Sequence, residues 1–503
     1  MSTETTRAAD PNSTVNPKNV AKTCSQCHRG IYDLFEASVH SPLVTKVKGD
    51  QKLPTCDNCH TAHGIQRTDA DDFRLTIMNQ CGTCHGEITK SYFDTYHGKV
   101  SKLGYVKTAK CYDCHGAHDI LPVYDPKSHL SRANIVKTCA QCHPGSNRRF
   151  AGYLTHATHH DPKKYPFLFF AFWAMTGLLI GTLTLAGFHT LAWLPRSLQF
   201  RREVRRAEAE AVAASEKAAA IGVEVAPAEE IYVRRFTSFY SRLHLMVIVS
   251  FFGLALTGMT LKFSYTGWAR VLAKIFGGFE PAGRIHRACA TITFAYFALH
   301  IWDLIKRKRK ESGGLKKLIL GPSSMLPNKT DLKEIGSSFR WFFGRGPRPQ
   351  YGRWTYWEKF DYFAVFWGVA VIGATGLLLW FPELFTHILP GSFLNVATIV
   401  HSDEALLAVG FIFTIHFFNT HFRPEKFPMD PVIFTGRVPL EEFKIDRPRE
   451  YAEMVASGKL EEHLVGPPSA QLLRFWRIFG FTALGIGLSL VGLIIYAVIF
   501  GYR

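Results

Sequence analysis

One pentapeptide, Cys-x-x-Cys-His, occurs five times in the first third of the chain. It runs from Cys24 and Cys27 to His28, from Cys56 and Cys59 to His60, and from Cys81 and Cys84 to His85. It recurs from Cys111 and Cys114 to His115 and from Cys139 and Cys142 to His143. Two thiols at this spacing can add across the two vinyl groups of one porphyrin, and the adjoining histidine is placed to bind the iron from one face. The pattern therefore predicts five covalently held haem c groups. The alternatives fit worse. Disulfides need no histidine after every second cysteine. A closed zinc site takes four ligands per metal, not one cysteine pair and a single histidine. Ten of the eleven cysteines belong to the motifs. The eleventh, Cys289, lies in an apolar stretch and reads as a small packed side chain.

The motifs are spaced as an internal duplication. His40 follows Cys24 by sixteen residues and His97 follows Cys81 by sixteen. His63 and His118 close matching Cys-His-x-Ala-His strings, and His156 follows Cys139 by seventeen. These five extra histidines are expected to be the second axial ligands of the five irons. Two axial imidazoles close the iron and suit it to passing electrons rather than binding substrate. His129, His159 and His160 fall outside the repeat, although either of the last two can replace His156. Which extra histidine serves which motif is not readable from spacing. Gly, Lys and Thr fill the spacers over residues 21–160, so the haems themselves are expected to supply the apolar interior. Residues 1–20 are polar and read as a disordered tail. No apolar run follows Met1 as a secretory signal would require. Either a signal is missing from this start, or the first membrane helix exports the segment before it.

The rest of the chain is apolar in long runs. Six stretches, 167–194, 242–263, 285–305, 361–381, 394–420 and 477–500, are long enough to cross about 30 Å of hydrocarbon. The expected fold is all-α: a haem-packed multihaem cytochrome c domain followed by a six-span transmembrane helical bundle. The parts are a periplasmic pentahaem domain (21–160), a first membrane helix (161–195) and a charged linker (196–235). A four-helix dihaem cytochrome b domain (236–425), a polar cytoplasmic segment (426–475) and a last membrane helix (476–503) complete the chain. The chain is formally +18. Its Lys and Arg gather in the stretches 196–242 and 306–353, while 264–284 and 382–393 are nearly neutral. Basic loops stay in the cytoplasm, which places the haem domain in the periplasm of a multi-pass protein of the bacterial cytoplasmic (inner) membrane. The charge is then a loop bias, and nucleic acid is not an expected partner.

Ionisable residues inside spans mark function by default. His286 and His300 lie fourteen apart on the third span; His401 and His416 lie fifteen apart on the fifth. At 1.5 Å per residue those separations are roughly 21–22 Å, about four turns, so both histidines of a helix face nearly one way at two depths. Two haem b groups stacked across the bilayer need that arrangement. By depth, His286 pairs with His401. His416 pairs with either His244, which opens the second span, or His300.

Arg235-Phe-Thr-Ser-Phe-Tyr-Ser-Arg-Leu-His244, followed by Ser250-Phe-Phe-Gly-Leu-Ala-Leu-Thr-Gly258, resembles the first span of the cytochrome b family of formate dehydrogenase gamma-subunits and nickel–iron hydrogenases. Gly283-Arg-Ile-His286-Arg resembles its second. Gly352-Arg-Trp-Thr-Tyr-Trp-Glu-Lys359 with Thr375-Gly-Leu-Leu-Leu-Trp380 resembles its third, and Val400-His401 through His416 its fourth. The resemblance covers about 235–425 and implies His244 with His416 and His286 with His401 as haem b ligands. It departs in two places: the last pair is usually fourteen apart, and His300 is extra. The resemblance also implies a quinone site by the cytoplasmic-side haem, at Thr355, Glu358 and His416, with His300 and Asp361 as neighbours. A carboxylate or neutral imidazole there can take a proton from the quinol hydroxyl. Arg242, Arg284 and Arg287 flank the ligands and are candidates to pair with haem propionates.

The whole layout resembles the fused cytochrome c–cytochrome b quinol oxidoreductases of the inner membrane of metal-respiring bacteria. The expected activity is therefore quinol-oxidising electron transfer in anaerobic respiration. Electrons would leave quinol (of menaquinone type), cross two b haems and five c haems, and reach a periplasmic c-type cytochrome or reductase. The rivals are a quinone reductase fed from the periplasm and a membrane anchor or electron-transfer subunit of a separate terminal reductase. Further complex subunits or a homo-oligomer fit either.

Overall fold

The computed structural model describes residues 10–46, 52–220, 230–310, 316, 319, 321 and 323–501. It is mostly helical. Among the described residues, eight short α-helices occupy the motif region: α1 (Val20–Ser25), α2 (Arg29–Glu36), α3 (Cys56–His60), α4 (Asp71–Cys84), α5 (Gly86–Asp94), α6 (Tyr96–Lys102), α7 (Cys111–His115) and α8 (Ile135–Ala140). In a helical turn, positions three and four apart share a face, so where a whole motif is helical both thiols and the histidine lie on one side. The second and fourth motifs are themselves helices. Each is capped alike: Thr55 N–H donates to Asn58 Oδ1 (2.7 Å) and Lys110 N–H to Asp113 Oδ2 (2.8 Å).

The polar start is only partly what composition suggests. Residues 1–9 lie outside the described residues, but 10–19 form turns tied down by side chains. Asn19 Nδ2 donates to Pro11 O (2.7 Å) and Ser13 O (3.0 Å), and Thr23 Oγ1 donates to Thr14 O (2.8 Å). The same turn recurs before the fifth motif. Asn134 Nδ2 donates to Pro126 O (2.9 Å) and Ser128 O (3.0 Å), and Thr138 Oγ1 to His129 O (2.7 Å). The first and last motifs thus share one module, visible in sequence as Asp-Pro-x-Ser followed by Asn and Lys-Thr-Cys.

Among the described residues, six helices are long and apolar enough to cross a membrane. The first is α9 (Pro166–Ala220). It continues unbroken from the first apolar run into the charged stretch that begins the expected linker, with Pro195 inside it. The others are α10 (Ser238–Lys262), α12 (Phe279–Lys310), α14 (Tyr356–Trp380), α16 (Ser392–Phe411, extended by two π-helical turns to Phe422) and α19 (Ala470–Phe500). Between them lie α11 (Gly267–Ile275), α13 (Lys329–Phe342) and α15 (Pro382–Phe385), and then α17 (Leu440–Asp446) and α18 (Pro448–Ala456). Large apolar side chains such as Phe167, Phe170, Ile180 and Leu185 stand exposed along α9. That surface suits lipid, not water.

The chain is not purely helical. Strands β1 (Tyr232–Arg234), β2 (Arg437–Pro439) and β3 (Leu464–Val465) form a small antiparallel sheet in the order β2-β1-β3, with Val233 opposite Val438 and Leu464. Val233, Val432, Val438 and Phe443 are buried around it. The end of the linker and the polar segment after the fifth span are therefore one ordered piece. Sequence reading missed this because three strands of two or three residues carry no periodicity.

The contacts divide the chain into two units: Met1–Phe172 with Thr260–Ala282 and Thr375–Ile399, and Trp173–Met259 with Gly283–Ala374 and Val400–Arg503. In the first unit, residues 149–154 dock on 387–395. Asn395 exchanges hydrogen bonds with the Leu154 backbone (3.0 and 2.9 Å), and Gly391 N–H donates to Arg149 O at 2.9 Å. A Cβ on Gly391 would stand 2.5 Å from Arg149 O, so only glycine permits this approach. In the second unit, a Cβ on Gly253 would lie 2.3 Å from Cys289 Sγ. Cys289 is a buried free thiol wedged against that glycine, as its apolar setting predicts.

Candidate functional site

The motif histidines meet the extra histidines in pairs. His85 faces His40 with ring centroids 6.3 Å apart, and His60 faces His118 at 6.0 Å. His143 faces His97 at 6.2 Å and His115 faces His156 at 6.3 Å. Each pair joins one motif histidine to one histidine from a different part of the chain. Histidine nitrogen binds a transition metal at about 2.0–2.1 Å, and each ring nitrogen lies about 1.1 Å from its ring centroid, so two imidazoles on opposite sides of one metal sit roughly 6.3 Å apart. The four pairs fit that requirement. His28 and His63 are the members these four pairs leave over; His28 lies beside His60.

Burial lowers the proton affinity of these rings, and the neighbouring imidazole adds to the effect. His97 is pushed down to about 4 by burial, then by His143. His40, His115 and His118 move the same way, by burial first and then by His85, His156 and His60 respectively. The neutral imidazole favoured here is the form that binds metal. His129 instead bonds Asp119 at 3.1 Å, and His159 stacks on Phe172 with centroids 3.9 Å apart.

Consecutive motifs adjoin. Cys56 interacts with Cys24, Cys59 with Cys81 and Cys84, Cys81 with Cys111, and Cys114 with Cys139 and Cys142. No disulfide joins any of the eleven cysteines, and burial pushes the Cys56 and Cys114 thiols up to about 11. Among the described residues no three His, Cys, Asp or Glu side chains converge to hold a bare metal ion.

In the second unit, His286 and His401 face each other with centroids 6.3 Å apart, the same separation. Their outer nitrogens are tied. His286 Nδ1 is 2.8 Å from Thr257 Oγ1, and His401 Nδ1 is 3.0 Å from Ile372 O. With Nδ1 engaged in this way, Nε2 is the nitrogen a metal would take. A Cβ on Gly258 would lie 3.4 Å from His286 Cε1, so the Thr257-Gly258 step keeps the space beside this ring clear. His244 is half-buried beside His416 and His421. His416 Nδ1 is 2.9 Å from Asp361 Oδ2.

His300 has a different neighbourhood. Its Nε2 lies 2.7 Å from Tyr362 Oη, with Asp303 close by. Asp303 pairs with Arg307 (3.0 Å) and accepts from Tyr240 Oη. Thus His244 stands next to His416, and His300 stands against tyrosine.

The fifteen-residue spacing of His401 and His416 has a local cause. The helix turns π-helical at Ile412–His416 and again at Phe418–Phe422. One residue added to a regular helix rotates the rest of that helix by about 100°; a π turn absorbs it and is a frequent mark of functional sites. Phe413 and Phe417 of the widened turns press on Gly487 of α19, where a Cβ would come within 2.7 Å.

The expected quinone-site residues separate into two sets. Thr355 is 1% exposed and caps α14. Its backbone N–H and its hydroxyl both donate to Glu358 Oε2 at 2.8 Å, while Arg447 donates to Glu358 Oε1 at 2.7 Å. Arg235 (3.7 Å from Glu358) also bonds the buried Glu450, and burial lowers its proton affinity to about 10. Glu358 therefore sits in a helix cap and an ion-pair cluster. Asp361 and His300 face other histidine and tyrosine partners. Arg242 Nε bonds Ser238 O of its own helix at 3.2 Å. Sequence reading did not find Thr257, Tyr362 or Glu383. Only Thr257 carried a signal, the Thr-Gly step one residue before Gly258.

No family model, no curated protein and no solved structure matches this chain.

Proposed function

We propose that this chain is a membrane quinol:cytochrome c oxidoreductase with five bis-histidine c haems and two b haems. The observation that carries the reading is the meeting of imidazoles at metal-sharing separation, four times in the first unit and once in the second. The ten motif cysteines hold the c groups covalently. His28, His60, His85, His115 and His143 would serve as the motif-side ligands, and His40, His63, His97, His118 and His156 as the second ligands. His286 with His401 and His244 with His416 hold the b groups. Held by two histidines, haem would supply a one-electron relay at each site.

Quinol binds on the basic, cytoplasmic side of an inner membrane and loses two electrons and two protons. His300, hydrogen-bonded to Tyr362 and close to Asp303, takes a proton from the ring hydroxyl. Thr355 and Glu358 fix the end of α14 beside it, and Asp361 holds His416. Electrons leave through the c-type domain to a periplasmic carrier. Outward movement runs with an inside-negative potential, about 2.3 kcal/mol per charge per 100 mV.

The test is reduction of the purified protein by a menaquinol analogue. Both b and c α-bands should appear. His300→Ala should slow the reaction by about 10²-fold with haem content intact. Bands that appear only with a reductant supplied from the c-haem side, and quinol that leaves the protein oxidised, would instead fit a quinone reductase.

A further inference from the structure

Three of the spanning imidazoles rest on partners of different charge. Thr257 Oγ1 donates to Gly253 O at 2.6 Å, so it accepts from His286 Nδ1–H. His401 Nδ1–H donates to a backbone carbonyl, Ile372 O. Both acceptors are neutral. His416 Nδ1–H donates to a carboxylate, Asp361 Oδ2, whose other oxygen is buried with no hydrogen-bond partner among the described residues. No donor on that second oxygen draws the charge away, so its field falls on the imidazole. A carboxylate on the outer nitrogen makes a ligating imidazole more basic. A more basic ligand favours the oxidised over the reduced metal, and low dielectric enlarges the effect.

We propose that Asp361 is a positioning residue that makes the two spanning haem sites unequal, with the His416 site the harder to reduce and the His286–His401 site the easier. The inference rests on the reading of these histidines as haem ligands. An electron delivered at His416 then passes downhill to the His286–His401 site. Each transfer oxidises the first by one electron and reduces the second by one. Two transfers carry both electrons of a quinol, and its two protons stay on the His416 side. The pair of hydrogen bonds thus sets the direction of flow away from the quinol.

The test is a redox titration of the b α-band in the purified full-length protein. Wild type should show two resolved b steps. Asp361→Asn should raise the lower step by at least tenfold in the reduced-to-oxidised ratio at fixed potential, about 59 mV for one electron, and leave the upper step in place. Thr257→Val should move only the upper step. Asp361→Glu, which keeps a carboxylate, should hold the lower step within threefold, and it decides the matter if the Asn variant sheds haem. Coincident wild-type steps overturn the proposal. So does an Asn variant with intact haem and an unmoved lower step, or a Glu variant moved upward tenfold. A wild-type protein with no b-type band overturns the haem reading itself, which separates that failure from this one.

Discussion

His143 Nδ1 lies 2.8 Å from Glu383 Oε1, although 240 positions separate them in the chain. The fifth motif histidine is therefore oriented by the short helix α15 at the end of the fourth span. The first unit brings the two together through the docking of residues 149–154 on 387–395. Glu383→Gln should raise the potential of one c haem and leave the other four unmoved, because the amide withdraws the negative charge from His143. A potentiometric titration of the c α-band checks this.

Thr61 and Gly116 come directly after His60 and His115 in equivalent strings and adopt the same backbone, φ 63°, ψ 165° and φ 84°, ψ 164°. This region is essentially glycine's, and other residues there cost of order 1–3 kcal/mol. Thr61→Gly should therefore stabilise the holo domain by about 1 kcal/mol after glycine's own entropy cost. Gly116→Thr should destabilise it by more, since a Cβ at Gly116 would meet Asp119 Oδ1 at 2.3 Å. Denaturant titration read by far-ultraviolet circular dichroism tests both signs.

The spans and the motifs were legible in the sequence, because long apolar runs and paired thiols are local signals. The six helices begin and end within seven residues of the apolar runs, except where α9 continues into charged sequence that water solvates equally well as helix. Depth along the spans paired His286 with His401, but the histidine pairs of the motif region were not legible. His40 meets His85, not a motif of its own repeat half, because pairing is set by how the motifs stack and not by spacing. Asp361 reads in sequence as a helix-entrance carboxylate; only the fold shows that it faces His416. The π turns on either side of Phe417 leave no trace beyond one extra residue.

Lys426 is nearly buried beside Asp446 (2.7 Å), Asp430 (3.4 Å) and Glu442. These acids hold Lys426 protonated well above the usual range despite burial, and Lys426, Arg423 and Arg348 hold Asp446 ionised far below its usual range. Asp446 has a depressed folded pKa. Its contribution is present above about pH 3.9 and is lost as the pH falls through the folded value. Lys426 has a raised one; its contribution is present below about pH 10.4 and is lost as the pH rises through the folded value. The 426–456 segment should thus resist proteolysis most between about pH 4 and 10. Lys426→Met should cost about 1–3 kcal/mol, since Asp430 and Glu442 lose this cation while Asp446 keeps Arg348. Limited proteolysis across pH reads both.

Glu358→Gln should lower thermal stability, since it removes the charge that Arg447 and Arg235 share. His300→Ala should leave melting within a few degrees and remove quinol-driven reduction. A thermal melt beside a turnover assay on each variant separates the two roles. Equal loss of turnover with unchanged melting in Glu358→Gln would return that carboxylate to the proton path.

The most direct test of the whole account is the ratio of c-type to b-type haem in the purified protein, from its pyridine haemochrome spectrum. Five motifs and two spanning histidine pairs predict five to two. Five to three would mean that His300, with His189 or His421, builds another site. A spectrum with c haem and no b haem would contradict the account, making the spanning histidines structural and the membrane part an anchor.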